Sequence, residues 1–376
     1  MEISQAIWTE HGPSACDVEH AEPRLVLAFA PPQRLQSPDT WRGLRRRWPN
    51  ATLVAASTAG EIHGARVLDE SLVTTALAST KTDVRCASVA LASYASSEDA
   101  GAALASALAG HRLRHVLVFS DGLNVNGSAL VRGLTRVLPA GVSLSGGLCG
   151  DGARFKRTFV CLNAFNEAPN IVGIGFYGDA LRVGVGSLGG WDSFGPERRI
   201  TRSEGNVLYE LDGQPALSLY EKYLGHHAAD LPASGLLFPL TVRAERQGQG
   251  VVRTILGVDP AAKSLRFAGD VPVGSFARLM HANFDRLIDG AVGAAVASRD
   301  ALRGSRAELA ILISCIGRKL VLKQRVEEEV EGVQRVVGPE AKLTGFYSYG
   351  EISPFAADAR CELHNQTMTV TTLSEA

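Results

Sequence analysis

Two stretches of the chain close on a hydroxyl, a glycine and a carboxylate: Ser57-Thr58-Ala59-Gly60-Glu61-Ile62 and Ser348-Tyr349-Gly350-Glu351-Ile352. Aligned without a gap over residues 49–62 and 339–352, they share a Pro, an Ala, a Leu and the final Gly-Glu-Ile, with Thr58 facing Ser348. This combination suits recognition, since glycine lets a ligand approach the backbone and a carboxylate can meet a cationic or amide group. The same residues admit a second chemistry, with Ser57 or Ser348 as nucleophile and Glu61 or Glu351 as base. No histidine stands beside either hydroxyl, so recognition is the favoured reading.

Each copy ends an apolar segment that reads as the second strand of a strand–helix–strand unit. The first unit has an apolar run at 25–30 and a helical pattern at 41–48; the last has an apolar run at 309–314 and a helical segment up to residue 336. A third such unit lies between them, with a strand at 115–121, a helix at 128–138 and a strand at 139–147 that stops at Gly146 and Gly147. Glu61, Asp121, Asp151 and Glu351 therefore follow equivalent strands. Singly, each suits the capping of a turn. As a set they point to a shared site, because ligands of open α/β sheets collect outside the carboxyl ends of the strands.

The remaining pattern supports a large α/β protein. The 376 residues suffice for two sizeable domains, and 45% hydrophobic residues with only 6% aromatics favour a core of Val, Leu and Ala. Segments 72–78 and 84–92, and then 158–163, 171–177 and 181–188, read as antiparallel strands joined by turn residues, so the sheets are expected to be mixed. Residues 1–23 read as a lightly ordered entry segment, residues 235–242 as a strand and residues 275–302 as one long helix. A net charge of -1 with no long run of one sign excludes the electrostatic footprint of a nucleic-acid-binding protein. Six scattered cysteines without a CxxC pair, no signal-peptide core and no apolar run of ~20 residues point to a cytoplasmic protein without membrane insertion.

Four segments, 57–62, 146–151, 345–352 and 364–369, together resemble the FIST family, the F-box and intracellular signal transduction proteins. The first two match its N-terminal domain and the last two its C-terminal domain. The resemblance implies a ligand-sensing module of bacterial signalling for small molecules such as amino acids, with haem-binding members that sense nitric oxide and report to histidine kinases. It adds Asn365 to the candidate ligand-binding residues. The chain departs from the pattern at Ala56, where the family often has a cysteine.

Other motifs carry less. Gly184-Val185-Gly186-Ser187-Leu188-Gly189 fits GxGxxG, but the glycine, proline and aspartate that follow cannot open the helix a dinucleotide fingerprint needs, so it reads as a glycine-rich strand and turn. His226, His227 and His281 are the imidazoles available for a possible haem. Cys315 follows a buried strand at a helix start, where the helix dipole would lower a thiol pKa.

The expectation is a two-domain α/β protein with mixed sheets, built from repeated strand–helix–strand units. An entry segment at 1–23 precedes domains at 24–208 and 209–376, with the halves related by an approximate two-fold. Ser57, Thr58, Gly60, Glu61, Asp121, Gly146, Gly147, Asp151, Ser348, Tyr349, Gly350, Glu351 and Asn365 would meet an amino-acid-like ligand at one seam, where Tyr349 could stack on it. The expected function is small-molecule sensing, with a histidine kinase or other signalling protein as partner; a haem-binding nitric-oxide sensor and a hydrolase or transferase are the alternatives.

Overall fold

The computed structural model describes residues 1–9, 12–13, 22–231, 233–245, 250–354 and 360–376. All three strand–helix–strand units form. In unit one Leu25–Ala30 leads through two short helices to Thr52–Ser57; in unit two Leu113–Ser120 leads through helix Gly127–Val137 to Ser143–Leu148. In unit three Leu309–Cys315 leads through helices Ile316–Leu322 and Val326–Val337 to Lys342–Ser348. The two strands of each unit are parallel neighbours. Leu25–Ala30 and Leu309–Cys315 are buried at every residue, which is why they read as continuous apolar runs. The helix of unit two starts where Asn126 Oδ1 accepts the Ala129 amide at 2.9 Å.

Each unit builds a six-stranded mixed sheet on the same plan. Beside the leading strand lies an antiparallel strand: Leu72–Ala78 in unit one, Asn170–Tyr177 in unit two and Met368–Glu375 in unit three. Outside these lie Glu2–Thr9, Asp83–Ala90 and Leu181–Leu188. The other flank is exchanged. After its second strand, unit one sends Glu61–His63 to pair with Lys342–Ser348 of unit three, and unit three sends Gly350–Pro354 to pair with Ser143–Leu148 of unit two. Unit two completes the circuit by sending Val160–Leu162 to pair with Thr52–Ser57 of unit one. The pairing thus runs in a three-membered cycle rather than the reciprocal exchange that the expected two-fold would require.

The centre of this cycle is filled by Phe29, Phe119 and Phe346, one from each unit, with ring centroids 5.0–5.7 Å apart. Small residues make room for them: Ala56 lies opposite Phe29 and Gly147 opposite Phe119. In unit three the order is inverted, with Ile313 opposite Phe346, and a Cβ on Gly147 would come within 2.6 Å of Ile313 Cγ2.

An eight-stranded fourth sheet is formed by residues 191–282. Several expectations fail here or at the N-terminus. The Gly, Pro, Ser and charged residues around 189–202 read in the sequence as a break in the pattern, yet the chain there forms the 14-residue strand Trp191–Glu204, whose register shifts between Phe194 and Arg198. Residues 276–282 are a strand and not the first turns of a helix; the helix is Phe284–Ala301, capped by Asn283. Phe276, Leu279 and Met280 have helical spacing, but pairing with Trp191–Glu204 and Leu240–Arg243 overrides it. Of the strand expected over 235–242 only residues 240–242 form one, as the start of Leu240–Arg243. Glu2–Thr9, in the expected entry segment, is a sheet strand paired with Leu72–Ala78. Among the described residues no helix is long and apolar enough to cross a membrane.

Candidate functional site at the strand ends

The segments that cross between sheets hydrogen bond to one another. Gly150 N donates to Ser57 O (2.9 Å), Ala59 N to Tyr347 O (2.8 Å), Tyr347 N to Gly60 O (2.8 Å) and Tyr349 N to Leu148 O (3.0 Å). The strand ends of all three units therefore form one junction. The Thr58 hydroxyl donates to Glu61, whose other oxygen accepts the Ser71 amide at 3.0 Å. The Ser348 hydroxyl donates to Glu351 at 2.6 Å, and the second Glu351 oxygen accepts Thr367 N (3.2 Å) and Oγ1 (3.0 Å). The two copies of the motif thus repeat one device, a hydroxyl bonded to the carboxylate three residues on.

The aspartates bind backbone. Asp151 accepts the amides of Phe155, Lys156 and Arg157 at 2.8–2.9 Å together with the Tyr349 hydroxyl, while the Tyr349 ring stacks on Phe155 at 4.5 Å. Asp121 accepts the amides of Leu123 and Asn124 and the Thr158 hydroxyl (2.7 Å). Asn365 ties the junction to the fourth sheet by donating to Tyr349 O (3.3 Å) and accepting from Thr254 N (3.4 Å). Gly350 pairs opposite Leu148, and Gly60, at φ +136°, leaves the space that the Lys319 side chain enters. A Cβ on Gly146 would fall on the Val118 carbonyl. Every candidate strand-end residue is buried, with Glu61 and Glu351 at most 1% exposed.

Burial sets the electrostatics. It pushes Glu61 up to about 7 against the hydrogen bonds from Thr58 and Ser71, and Glu351 up to about 8 against those from Ser348 and Thr367. Two neighbours on helix Ile316–Leu322, missed in the sequence, oppose the shift: Lys319 beside Glu61 and Arg318 beside Glu351. Lys319 Nζ donates to Ala59 O at 3.0 Å and pairs with Asp69. Arg318 is fully buried and pairs with the equally buried Glu329 at 2.7 Å, which also accepts the hydroxyls of Ser314 (3.0 Å) and Tyr347 (2.7 Å). In the sequence an Arg-Lys pair after a strand has the same appearance as a solvated helix face.

Ser57 Oγ donates to Gly150 O and accepts from Phe159 N, each at 2.8 Å, a backbone-bridging role without a base. Cys315 does precede a helix, but burial, reinforced by Glu351, drives its thiol well above the usual range, so the expected dipole activation is overridden. His226 and His227, on the segment Gly225–Asp230, have tilted rings with centroids 4.0 Å apart, and His281 is exposed on a strand, not in a helix. The GxGxxG stretch is strand Leu181–Leu188, as read. Its Gly184 and Gly186 admit the backbone of helix Phe284–Ala301 so closely that a Cβ would meet the carbonyls of Ser298 and Ala294.

The fold and its junction define a mixed α/β protein whose repeated units are locked together by strand exchange at a buried polar knot. The chain belongs to the FIST family: residues 24–214 match the FIST N domain and residues 216–354 the FIST C domain. Domains of this family are associated with sensing in signal transduction. It is 29% identical over 181 residues to an uncharacterized protein of Mycobacterium bovis, and equally to one of Mycobacterium tuberculosis. Each match covers 46% of this chain and 45% of the relative, so the chain spans about half the length of the curated relatives it matches. A cyanuric acid hydrolase from A. caulinodans aligns at 12% identity over 78% of this chain and 99% of its own, with a TM-score of 0.18, too low to bear on fold or function.

Proposed function

We propose that this protein is a cytoplasmic small-molecule sensor whose ligand acts on the strand-end junction and whose response is passed to a histidine kinase or another signalling protein. The observation that carries this reading is the mutual bonding of the three crossing segments, through Gly150 N to Ser57 O, Ala59 N to Tyr347 O and Tyr349 N to Leu148 O. A ligand that displaces one segment strains the other two, so local binding becomes a change in all three sheets. Tyr349 is the pivot, since its amide, hydroxyl and ring hold residues 148–155 while its carbonyl holds Asn365. Native mass spectrometry of protein from its own cytoplasm is expected to show a small molecule travelling with it. Glu61→Gln, Glu351→Gln and Tyr349→Phe should each weaken its rebinding by about 1.5–3 kcal/mol. Rebinding unchanged in all three variants would overturn the assignment.

A second reading, a haem site, is favoured by one arrangement on the fourth sheet. The ring centroids of His227 and Phe238 are 5.3 Å apart, those of Phe238 and Phe194 6.3 Å and those of Phe194 and His281 5.6 Å, so the imidazoles flank a half-buried aromatic surface whose rings are tilted or edge-on to one another. Such a surface suits a flat apolar macrocycle with an axial imidazole. Protein produced with excess haem should then show a Soret band that is lost when His226, His227 and His281 are replaced together. No band, or one indifferent to the replacement, rejects this reading.

A further inference from the structure

A cavity of about 410 Å3 lies on the seam between helix Gly127–Val137 and the fourth sheet, and no residue singled out at the strand ends lines it. Its volume falls within the range of small-molecule sites, roughly 300–1,000 Å3. One wall is Ser128, Arg132 and their helix; the other carries Arg243, Arg253 and Asp270, with Arg360 and Glu362 at the border. Two of the four arginines are neutralised locally: Arg132 pairs with Asp270 (2.8 Å) and Glu98 (3.3 Å), and Arg243 with Glu197 (3.5 Å).

Arg253 is different. It is 5% exposed, yet no carboxylate of the described residues lies within ion-pair distance of it. Its Nε donates to Asp270 O at 2.9 Å and its Nη1 to Leu363 O at 2.8 Å, while Nη2 has no hydrogen-bond partner among the described residues. Carbonyl oxygens satisfy donors but do not cancel a charge, and a buried uncompensated guanidinium is costly unless an anion joins it. Burial lowers its pKa only to about 10, so it stays charged at neutral pH, with Glu362 and Asp270 opposing the shift through space without pairing with it. Exposed Arg360 likewise forms no ion pair among the described residues.

We propose that this seam cavity binds a small molecule through an oxyanion, a carboxylate or phosphate group, held by Arg253 from within and Arg360 from the rim. Arg360 can present the planar, bidentate fork that such oxyanions match, and Arg253 adds the Nη2 donor that its backbone carbonyl partners do not use. Because one wall belongs to the FIST N segment and the other to the FIST C segment, an occupant here bridges the two.

The test is isothermal titration of the full chain with inorganic phosphate and with succinate, using neutral succinamide as the control. At least one anion is expected to bind, succinamide is not, and added salt should weaken the binding. Arg360→Gln, an exposed change that leaves the free protein's melting temperature intact, should weaken affinity about tenfold, and Arg253→Gln by more. Whichever anion binds more tightly names the oxyanion. Failure of both anions to bind, or affinities unchanged in Arg360→Gln, would overturn the proposal. Anion binding lost in Glu351→Gln but retained in both arginine variants would also overturn it, while leaving the strand-end reading in place.

Discussion

Glu351 shows how one side chain couples packing to protonation. Its carboxyl is fully buried among Ser348 and Thr367, and its pKa is raised by burial to about 8 from an ordinary value near 4.5. The folded state therefore holds the proton more tightly than the unfolded chain does. The stability this contributes is complete below about pH 4.5 and is lost as pH rises toward 8. Glu61, raised to about 7, acts in the same direction. Thermal unfolding followed from pH 6.5 to pH 8, above the range in which the buried His115 and His364 favour folding at higher pH, should show stability falling with pH, and Glu351→Gln should flatten that slope. A variant with the wild-type slope would show that Glu351 does not titrate in this window. The strand-end hydroxyl and carboxylate pairs were legible in the sequence as repeats. Their partners Ser71 and Thr367 were not, because those contacts arise from the return of the chain.

At the scale of elements, close backbone approach decides where glycine is required. Gly146 and Gly345 occupy matching places in the second strands of units two and three, at φ +157° and +154°, and a Cβ on either would fall on a carbonyl of the adjacent leading strand. In unit one the matching strand pair has Ala55 opposite Ala28. Gly146→Ala is expected to cost roughly 3 kcal/mol or more, since the obstruction is backbone and cannot rotate away. Urea denaturation measures it, and a loss below about 1 kcal/mol would mean that the strands can separate without penalty. The long helix expected over 275–302 illustrates the limit of periodicity. Phe276, Leu279 and Met280 satisfy a helical repeat, yet Asn283 caps a helix that starts only at Phe284, and the preceding residues are taken by a sheet ladder.

Across the whole molecule, the cyclic exchange makes the family's two segments interdependent. Leu181–Leu188, within the FIST N match, has its partner in Met368–Glu375, and Ser143–Leu148 needs Gly350–Pro354 on its flank. A fragment of residues 24–214 would leave these edges unpaired and would lack Phe346 at the central aromatic contact. It is expected to be unfolded or aggregated when produced alone, and the intact chain to unfold in one transition, as read by circular dichroism and calorimetry. A soluble fragment with dispersed amide resonances would show instead that the first segment is an autonomous domain.

The sequence by itself determined the strand–helix–strand units, their mixed sheets and the grouping of hydroxyls, glycines and carboxylates at strand ends. These are written in local terms: continuous apolar runs, prolines and turn residues at boundaries, and a motif that occurs twice. Only the tertiary structure decided which sheet each crossing segment joins. A strand as short as Glu61–His63 carries little preference of its own, and the edge it pairs with is selected by long-range packing of Phe29, Phe119 and Phe346 against Ala56, Gly147 and Ile313. Tertiary packing also buries Glu61, Asp151 and Glu351 against amides and hydroxyls and sets the buried Arg253 beside a cavity. Burial and pairing depend on residues hundreds of positions apart, so no window along the chain contains them.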